Sequence, residues 1–133
     1  MLNLKGKQKC GYITIVGPTN AGKSTLLNSI LGKKLSIVSR KVQTTRTRIQ
    51  AILTKDTSQL ILIDTPGLFN PKRFKDRSFI KEAISSLERS DVIVYMVEAH
   101  KGFDKDAYKS LGKMIANQEI IIIINKIDLV KKP

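Results

Sequence analysis

The chain has 133 residues, 41% hydrophobic and 26% charged, which is a globular composition with room for one domain at most. Its only cysteine, Cys10, excludes an internal disulfide, and its formal net charge is +13. No apolar run reaches the roughly 18 residues that a membrane-spanning helix needs. The first twelve residues lack the apolar segment of a signal peptide, so we expect a cytosolic chain. The positive charge predicts either attraction to a polyanion or simply a solvated basic surface.

Continuous apolar runs, which predict strands covered on both faces, alternate with segments of helical pattern. In chain order we predict the strand "GYITIVG", the helix "KSTLLNSILG" ending at Gly32, the strand "RIQAILT", the strand "SQLILID", the helix "KDRSFIKEAISSLER", the strand "DVIVYMVE", the helix "DKDAYKSLGKMIAN" and the strand "EIIIIIN". The turn "KDTS" should join the second and third strands as a hairpin. This order predicts an α/β domain over residues 11–133, after a basic tail at 1–10.

The segment "GPTNAGKST" at 17–25 follows the first predicted strand and opens the first predicted helix. It is the G-x-x-x-x-G-K-[ST] pattern in the setting of a phosphate-binding loop. Its glycines let backbone N–H groups face phosphate oxygens at a helix N-terminus. Lys23 adds a positive charge for the β- and γ-phosphates, and the Ser24 hydroxyl is a candidate Mg²⁺ ligand. An ordinary glycine turn is the alternative, which both flanks disfavour. The predicted nucleotide-binding residues are Gly17, Pro18, Thr19, Asn20, Ala21, Gly22, Lys23, Ser24 and Thr25.

The sequence "DTPG" at 64–67 closes the strand "LILID". Asp64 stands where open α/β sheets bind their ligands, at the carboxyl end of a strand. A carboxylate there can hold Mg²⁺ through a water molecule, and the N–H of Gly67 can turn toward a γ-phosphate. An Asp-x-x-Gly turn is common by itself, but this one follows a strand and comes 41 residues after Lys23. The predicted binding residues are Asp64, Thr65, Pro66, Gly67 and Leu68.

The sequence "NKID" at 125–128 follows the last predicted strand. Asp128 can accept two hydrogen bonds from the N1–H and the exocyclic amine of guanine, a donor pair that adenine lacks. Sites built around such polar groups discriminate strongly. Asn125 should brace the phosphate loop, and the stem of Lys126 can cover the base. A polar strand terminus is the alternative, but three motifs in this order predict GTP and GDP as ligands. The predicted base-binding residues are Asn125, Lys126, Ile127 and Asp128.

Together with "SRKVQTTRTRIQ" at 39–50, these motifs make the segment from Gly11 to Asp128 resemble the G domain of bacterial Era-type GTPases. The resemblance implies a Ras-like P-loop NTPase fold with a mostly parallel sheet, and two switch loops at 33–48 and 65–78. It implies that Thr45, with Thr44 as the alternative, closes on Mg²⁺ and the γ-phosphate. The catalytic residues are then Lys23, Thr45 and Gly67, and the metal ligands Ser24, Thr45 and Asp64.

Two positions bear on the mechanism. The family's usual Gly-x-Pro-Asn is here Gly17-Pro18-Thr19-Asn20, so the asparagine that can ligate K⁺ in related GTPases is kept while the proline has moved. Leu68 stands where Ras-like enzymes carry the glutamine that orients water. Leucine has no donor or acceptor, so we expect slow intrinsic hydrolysis assisted by backbone groups, metal ions or a partner.

Family members continue beyond "NKxD" with further elements and a KH domain that grips small-subunit ribosomal RNA. The resemblance therefore implies a conformational switch in assembly of the small ribosomal subunit, cytoplasmic and at times peripheral on the inner membrane face. We expect a sheet that is incomplete at the C-terminus, with Ile120–Ile124 as an exposed edge on a monomeric or aggregation-prone chain. Two alternatives are a non-enzymatic remnant that does not fold or turn over GTP alone, and a basic binder of RNA or membrane surfaces.

The sequence indicates no function for three further residues. His100 is expected in a surface loop, and Cys10 before the first strand as an inert thiol. Glu98 ends an apolar run but is expected to lie in loop structure away from the phosphate motifs.

Overall fold

The computed structural model describes residues 6–18, 20–32, 36–38, 42–44, 47–63, 77–115 and 117–131. Its strands and helices are β1 (Lys9–Val16), α1 (Lys23–Leu31), β2 (Ser36–Val38), β3 (Val42–Thr44), β4 (Thr47–Lys55), β5 (Ser58–Ile63), α2 (Arg77–Glu88), β6 (Val92–Glu98), α3 (Lys105–Met114) and β7 (Glu119–Asn125). Short 3₁₀ turns follow β6 at Ala99–Lys101 and β7 at Ile127–Leu129. No helix in these ranges is long and apolar enough to cross a membrane.

The described strands form one sheet in the order β2-β4-β5-β1-β6-β7, with β3 also paired to β4. Strands β5, β1, β6 and β7 are parallel, whereas β4 is antiparallel to β5, β2 and β3. Lys55 pairs with Ser58 across a two-residue turn, so the predicted hairpin is confirmed. The α/β fold with a parallel body is confirmed as well. Because the strand order reverses at β1, the carboxyl ends of the parallel strands form a crevice there.

Apolar clusters cover both faces of the sheet. Successive strand residues point to opposite faces, so Val16 and Ile15 of β1 enter different clusters. On one face α2 and α3 contribute Leu87 and Leu111, and on the other α1 contributes Leu27. The continuous apolar runs of the sequence therefore have the physical cause that was predicted, which is helices on both sides.

Three element boundaries differ from expectation. Lys9 and Cys10, assigned to the N-terminal tail, pair with Ser58 and Gln59, so β1 starts inside that segment. The segment 33–48, expected to be a loop, contains β2 and β3, because both find hydrogen-bond partners on β4. Glu98 is the last residue of β6 and pairs with Asn125 of β7, as the predicted strand "DVIVYMVE" has it, so its separate assignment to loop structure is wrong.

Strand β7 is the outermost strand next to β6 among the described residues. Ile121, Ile122 and Ile124 are exposed, the last at 62% of its surface, so the predicted apolar edge is confirmed. Ile120 instead packs partly buried against the cluster that contains Leu111. One strand therefore carries the same side chain in two environments.

Replacing Ile124 with lysine is expected to change the free energy of unfolding by less than about 0.5 kcal/mol, because the side chain is already mostly in water. The charge should also lower aggregation, since charged edges resist pairing with other chains. Ile120→Lys is the matched control and should cost about 2 kcal/mol, because it places an ammonium against the apolar cluster that contains Leu111. Denaturant unfolding and light scattering measure both effects. Equal destabilisation by the two variants would contradict the difference in burial between Ile120 and Ile124.

Candidate functional site

Two glycines shape the loop between β1 and α1. Gly17 has φ 156° and Gly22 has φ 100°, a range that side chains rarely adopt. A Cβ on Gly17 would lie 2.3 Å from the carbonyl oxygen of Met96, and one on Gly22 would lie 2.3 Å from Nδ2 of Asn125. The loop is therefore packed closely against the ends of β6 and β7, with no space for side chains at these two positions.

Lys23 begins α1, and its side chain turns back onto the loop. Its Nζ donates to the carbonyl oxygen of Gly17 at 2.6 Å and to that of Pro18 at 2.7 Å. Burial lowers the pKa of the Lys23 ammonium. The ammonium thus lies beside the first turn of a helix, whose N–H groups favour anions. This combination of charge and N–H donors suits a phosphate.

The base motif "NKID" is tethered to the same loop by two neighbouring side chains. Nδ2 of Asn125 donates to the carbonyl oxygen of Ala21 at 2.9 Å, which confirms the predicted bracing contact. Nζ of Lys126 donates to the carbonyl oxygen of Asn20 at 2.5 Å. Segments more than a hundred residues apart in sequence therefore meet at the crevice beside β1.

The other predicted site residues are only partly covered by the described ranges. Ser24 and Thr25 are exposed in the first turn of α1, and Asp128 is exposed in the turn after β7. Thr44 ends β3, but its side chain is outside what the structure describes. Also outside are Thr19, Thr45, Asp64, Thr65, Pro66, Gly67 and Leu68. Within the described residues, no three His, Cys, Asp or Glu side chains form a possible metal cluster.

Glu98 is the functional candidate that the sequence reading missed. Its side chain is 3% exposed, and Oε2 accepts from Nζ of Lys126 at 3.1 Å while Oε1 accepts from Nζ of Lys101 at 3.0 Å. Nε2 of His100, which is exposed as expected, lies 3.5 Å from Oε2. The hydrogen bond from Lys101, then that from Lys126, holds the pKa of the Glu98 carboxyl below its usual 4.5. The sequence feature that could have identified Glu98 is a carboxylate at the carboxyl end of an apolar strand, where open sheets bind ligands.

This lowered pKa makes stability depend on pH in a defined direction. The folded chain resists protonation of Glu98, so its contribution is fully present above the usual pKa and is lost as pH falls through the lowered one. The facing cations are Lys101, Lys126 and, when protonated, His100. We expect the difference in melting temperature between wild type and Glu98→Gln to shrink as the pH falls below about 5. Melts from pH 3 to 7 measure it, and a difference independent of pH would contradict the ion pairing.

The sequence model of the family described as "50S ribosome-binding GTPase" matches residues 12–126, which is most of the chain. The chain belongs to this GTPase family. The match begins in β1, includes the phosphate loop and ends at Lys126 in the base motif.

Curated members of the GTPase family that resemble this chain include proteins named GTPase Era. GTPase Era of Bradyrhizobium sp. (strain BTAi1 / ATCC BAA-1182) is 44% identical over 126 residues, covering 93% of this chain and 41% of the relative. GTPase Era of Carboxydothermus hydrogenoformans is 43% identical, covering 92% of this chain and 42% of the relative. The resemblance to Era-type GTPases is confirmed, and the chain spans about two fifths of the length of these relatives.

Solved structures agree with this assignment. Era in complex with MgGDPNP and nucleotides 1506–1542 of 16S ribosomal RNA is 40% identical at a TM-score of 0.69, covering 95% of this chain and 43% of that one. A variant of Aquifex aeolicus Era bound to GDP·AlF₄⁻ is 41% identical at a TM-score of 0.67, covering 92% and 42%. The Ras-like P-loop fold that the sequence predicted is therefore confirmed.

Proposed function

We propose that the chain binds GTP and GDP and hydrolyses GTP to GDP and phosphate as a conformational switch. The observation that carries the proposal is the hydrogen bond from Asn125 to Ala21, because it joins the base motif to the phosphate loop. A triphosphate laid along the loop then has its base within reach of the turn after β7. Lys23 supplies the positive charge at the phosphates, and Asp128 supplies the carboxylate that selects guanine.

The donors fit Mg²⁺, which prefers hard oxygen ligands and accompanies nucleotide phosphates. Ser24 presents an exposed hydroxyl one residue after the phosphate-binding Lys23. Thr45, or Thr44 in its place, and Asp64 through a water molecule complete the proposed set. Bound Mg²⁺ would offset the negative charge of the phosphates. Support comes from the related Era structure that contains MgGDPNP.

The proposed hydrolysis is slow without a partner. Leu68 offers no group to orient water, so Lys23, Thr45 and Gly67 provide electrostatic and positional assistance only. The glutamine and arginine contributions of other GTPases are worth orders of magnitude in rate. An external activator is therefore part of the proposal.

We propose small-subunit ribosomal RNA as the binding partner of this chain, by analogy with its longer relatives. The related Era structure contains 16S ribosomal RNA nucleotides, and the net charge of +13 favours association with a polyanion. We place this role in ribosomal subunit assembly, in the cytoplasm and at times on the inner membrane face.

Potassium is expected to accelerate hydrolysis if Asn20 acts as a K⁺ ligand. The side chain is exposed in the phosphate loop, and its backbone is left-handed with φ 69°, a conformation that is uncommon for residues other than glycine. Hydrolysis measured in matched potassium and sodium buffers tests this, with Asn20→Asp as the control that keeps an oxygen donor. Equal rates for the wild-type chain in both salts would remove potassium from the proposal.

The central test is titration of the purified chain with a fluorescent GTP analogue in Mg²⁺, alongside a circular-dichroism melt. We expect a cooperative melt and saturable binding that unlabelled GTP and GDP displace and ATP does not. Displacement by ATP as effective as by GTP would overturn the guanine assignment. A folded chain that binds neither nucleotide would overturn the proposed function and favour the non-enzymatic alternative.

A further inference from the structure

Glu98 and Lys126 form an ion pair that none of the roles above uses. Glu98 ends β6, and its carboxylate is almost completely withdrawn from water, with 3% of the side chain exposed. A buried carboxylate is tolerated only when it is paired and hydrogen-bonded. Nζ of Lys126 meets this need at 3.1 Å, together with Lys101 on the other carboxylate oxygen.

Lys126 is itself held in an unusual conformation. Its backbone is left-handed, with φ 57° and ψ 42°, a region that costs a residue with a side chain about 1 kcal/mol or more. Its ammonium donates both to Glu98 and to the carbonyl oxygen of Asn20 in the phosphate loop. The two acceptors on β6 and on the loop therefore keep in place the residue at which the chain turns out of β7.

That turn sets the position of Asp128, which lies two residues later in the 3₁₀ turn Ile127–Leu129. Asp128 is exposed, so packing within the described residues does little to fix it. The route by which it is oriented runs through the backbone of Lys126. Contacts that hold the Lys126 side chain therefore also restrict the position of the Asp128 carboxylate.

We propose that Glu98 is a positioning residue for guanine recognition, acting through the ammonium of Lys126. The proposal deepens the guanine-nucleotide binding proposed above and rests on it. Glu98 keeps the base motif and the phosphate loop in one fixed arrangement, so that Asp128 meets the base already oriented. A preorganised site binds more tightly because less ordering is needed on association.

The first readout is the affinity for GTP and GDP. Glu98→Gln preserves shape and removes charge, and it is expected to weaken both affinities by about tenfold, in the range of a lost hydrogen bond between charged groups. The matched control is Lys101→Gln, which removes the partner of the other carboxylate oxygen at 3.0 Å and should leave both affinities unchanged.

A second readout separates positioning from general support of the fold. ITP lacks the exocyclic amine of GTP, so the ratio of GTP to ITP affinity reports how well Asp128 is oriented. Glu98→Gln should lower the ratio of GTP to ITP affinity. If Glu98 only supported the fold, the substitution would lower both affinities by the same factor. In a Lys126→Met background, Glu98→Gln should have no further effect on either quantity, because the two residues act as one unit.

The outcomes separate this inference from the function on which it rests. If the wild-type chain binds no guanine nucleotide, the proposed function and the positioning role of Glu98 are both overturned. If it binds and Glu98→Gln keeps wild-type affinity and GTP/ITP ratio, only the positioning role is overturned. Should Glu98→Gln fail to melt cooperatively, Glu98→Asp replaces it, because that variant keeps the charge and shortens the reach to Lys126. Wild-type affinity and ratio in that folded variant would overturn the positioning role equally well.

Discussion

Asp128→Asn is expected to abolish the preference for GTP over ATP and to weaken GTP binding by roughly 100-fold. The substitution replaces a charged acceptor with an amide of the same shape, and each hydrogen bond to a charged group is worth about 1.5–3 kcal/mol. In the proposed site this carboxylate accepts two such bonds from guanine, and the asparagine oxygen can still accept one of them. The expected loss is therefore that of about one bond. Competition titrations with GTP, GDP and ATP measure it.

Xanthosine triphosphate sharpens the same experiment. Its base carries an acceptor where guanine carries the exocyclic amine, so the amide of Asp128→Asn can donate to it. We expect this nucleotide to bind the variant better than it binds the wild type. The matched control is Asp56→Asn, an exposed carboxylate in the hairpin turn between β4 and β5. Loss of GTP binding in that control would show a general effect of charge rather than base recognition.

Gly17→Ala is expected to destabilise the chain by about 2–5 kcal/mol and to remove nucleotide binding. The added Cβ would lie 2.3 Å from the carbonyl oxygen of Met96, a backbone atom held in the middle strands of the sheet. Overpacking typically costs about 1–3 kcal/mol, and strain at an unfavourable φ costs a similar amount. Against a total stability of about 5–15 kcal/mol this is a large fraction.

The control for Gly17→Ala is Gly112→Ala in α3. A Cβ there meets nothing within 4 Å, and alanine is a better helix former than glycine by about 1 kcal/mol. We therefore expect that variant to be neutral or more stable, with unchanged nucleotide affinity. Chemical denaturation and nucleotide titration of both variants test the pair. A Gly17→Ala chain as stable as wild type would mean that the loop is not packed against β6 as described.

Much of the candidate site could be predicted from short sequence motifs. Gly17, Gly22 and Lys23 are informative in sequence because a phosphate loop needs glycine backbone and one ammonium at a fixed spacing directly before a helix. Asp128 is predictive in the same way, because a carboxylate can accept both hydrogen bonds that the N1–H and the exocyclic amine of guanine donate. The order of the layers, a sheet with helices on both faces, followed from continuous apolar runs, which leave no solvent face on a strand.

Long-range pairing was not readable in the same way. Lys9 and Cys10 look like part of a polar tail, and only the backbone of β5 beside them makes them a strand. The strands β2 and β3 likewise exist because β4 offers them hydrogen bonds. The partners of Lys9 and Cys10 lie about fifty residues away in sequence. Strands β2 and β3 have nearer partners, but segments of three residues carry no periodicity long enough to predict a strand.

Glu98 shows most clearly where sequence reasoning ends. The residues near it in sequence, His100 and Lys101, suggest an exposed polar turn, and that reading is correct for His100. Its decisive partner, Lys126, is 28 residues away and reaches it only because β6 and β7 are adjacent and in register. Residue types and spacing thus predicted the nucleotide-binding motifs and the order of the layers, because both depend on neighbours along the chain. The folding of the sheet decided which cations pair with the buried Glu98. It also decided which side chains connect the base motif to the phosphate loop.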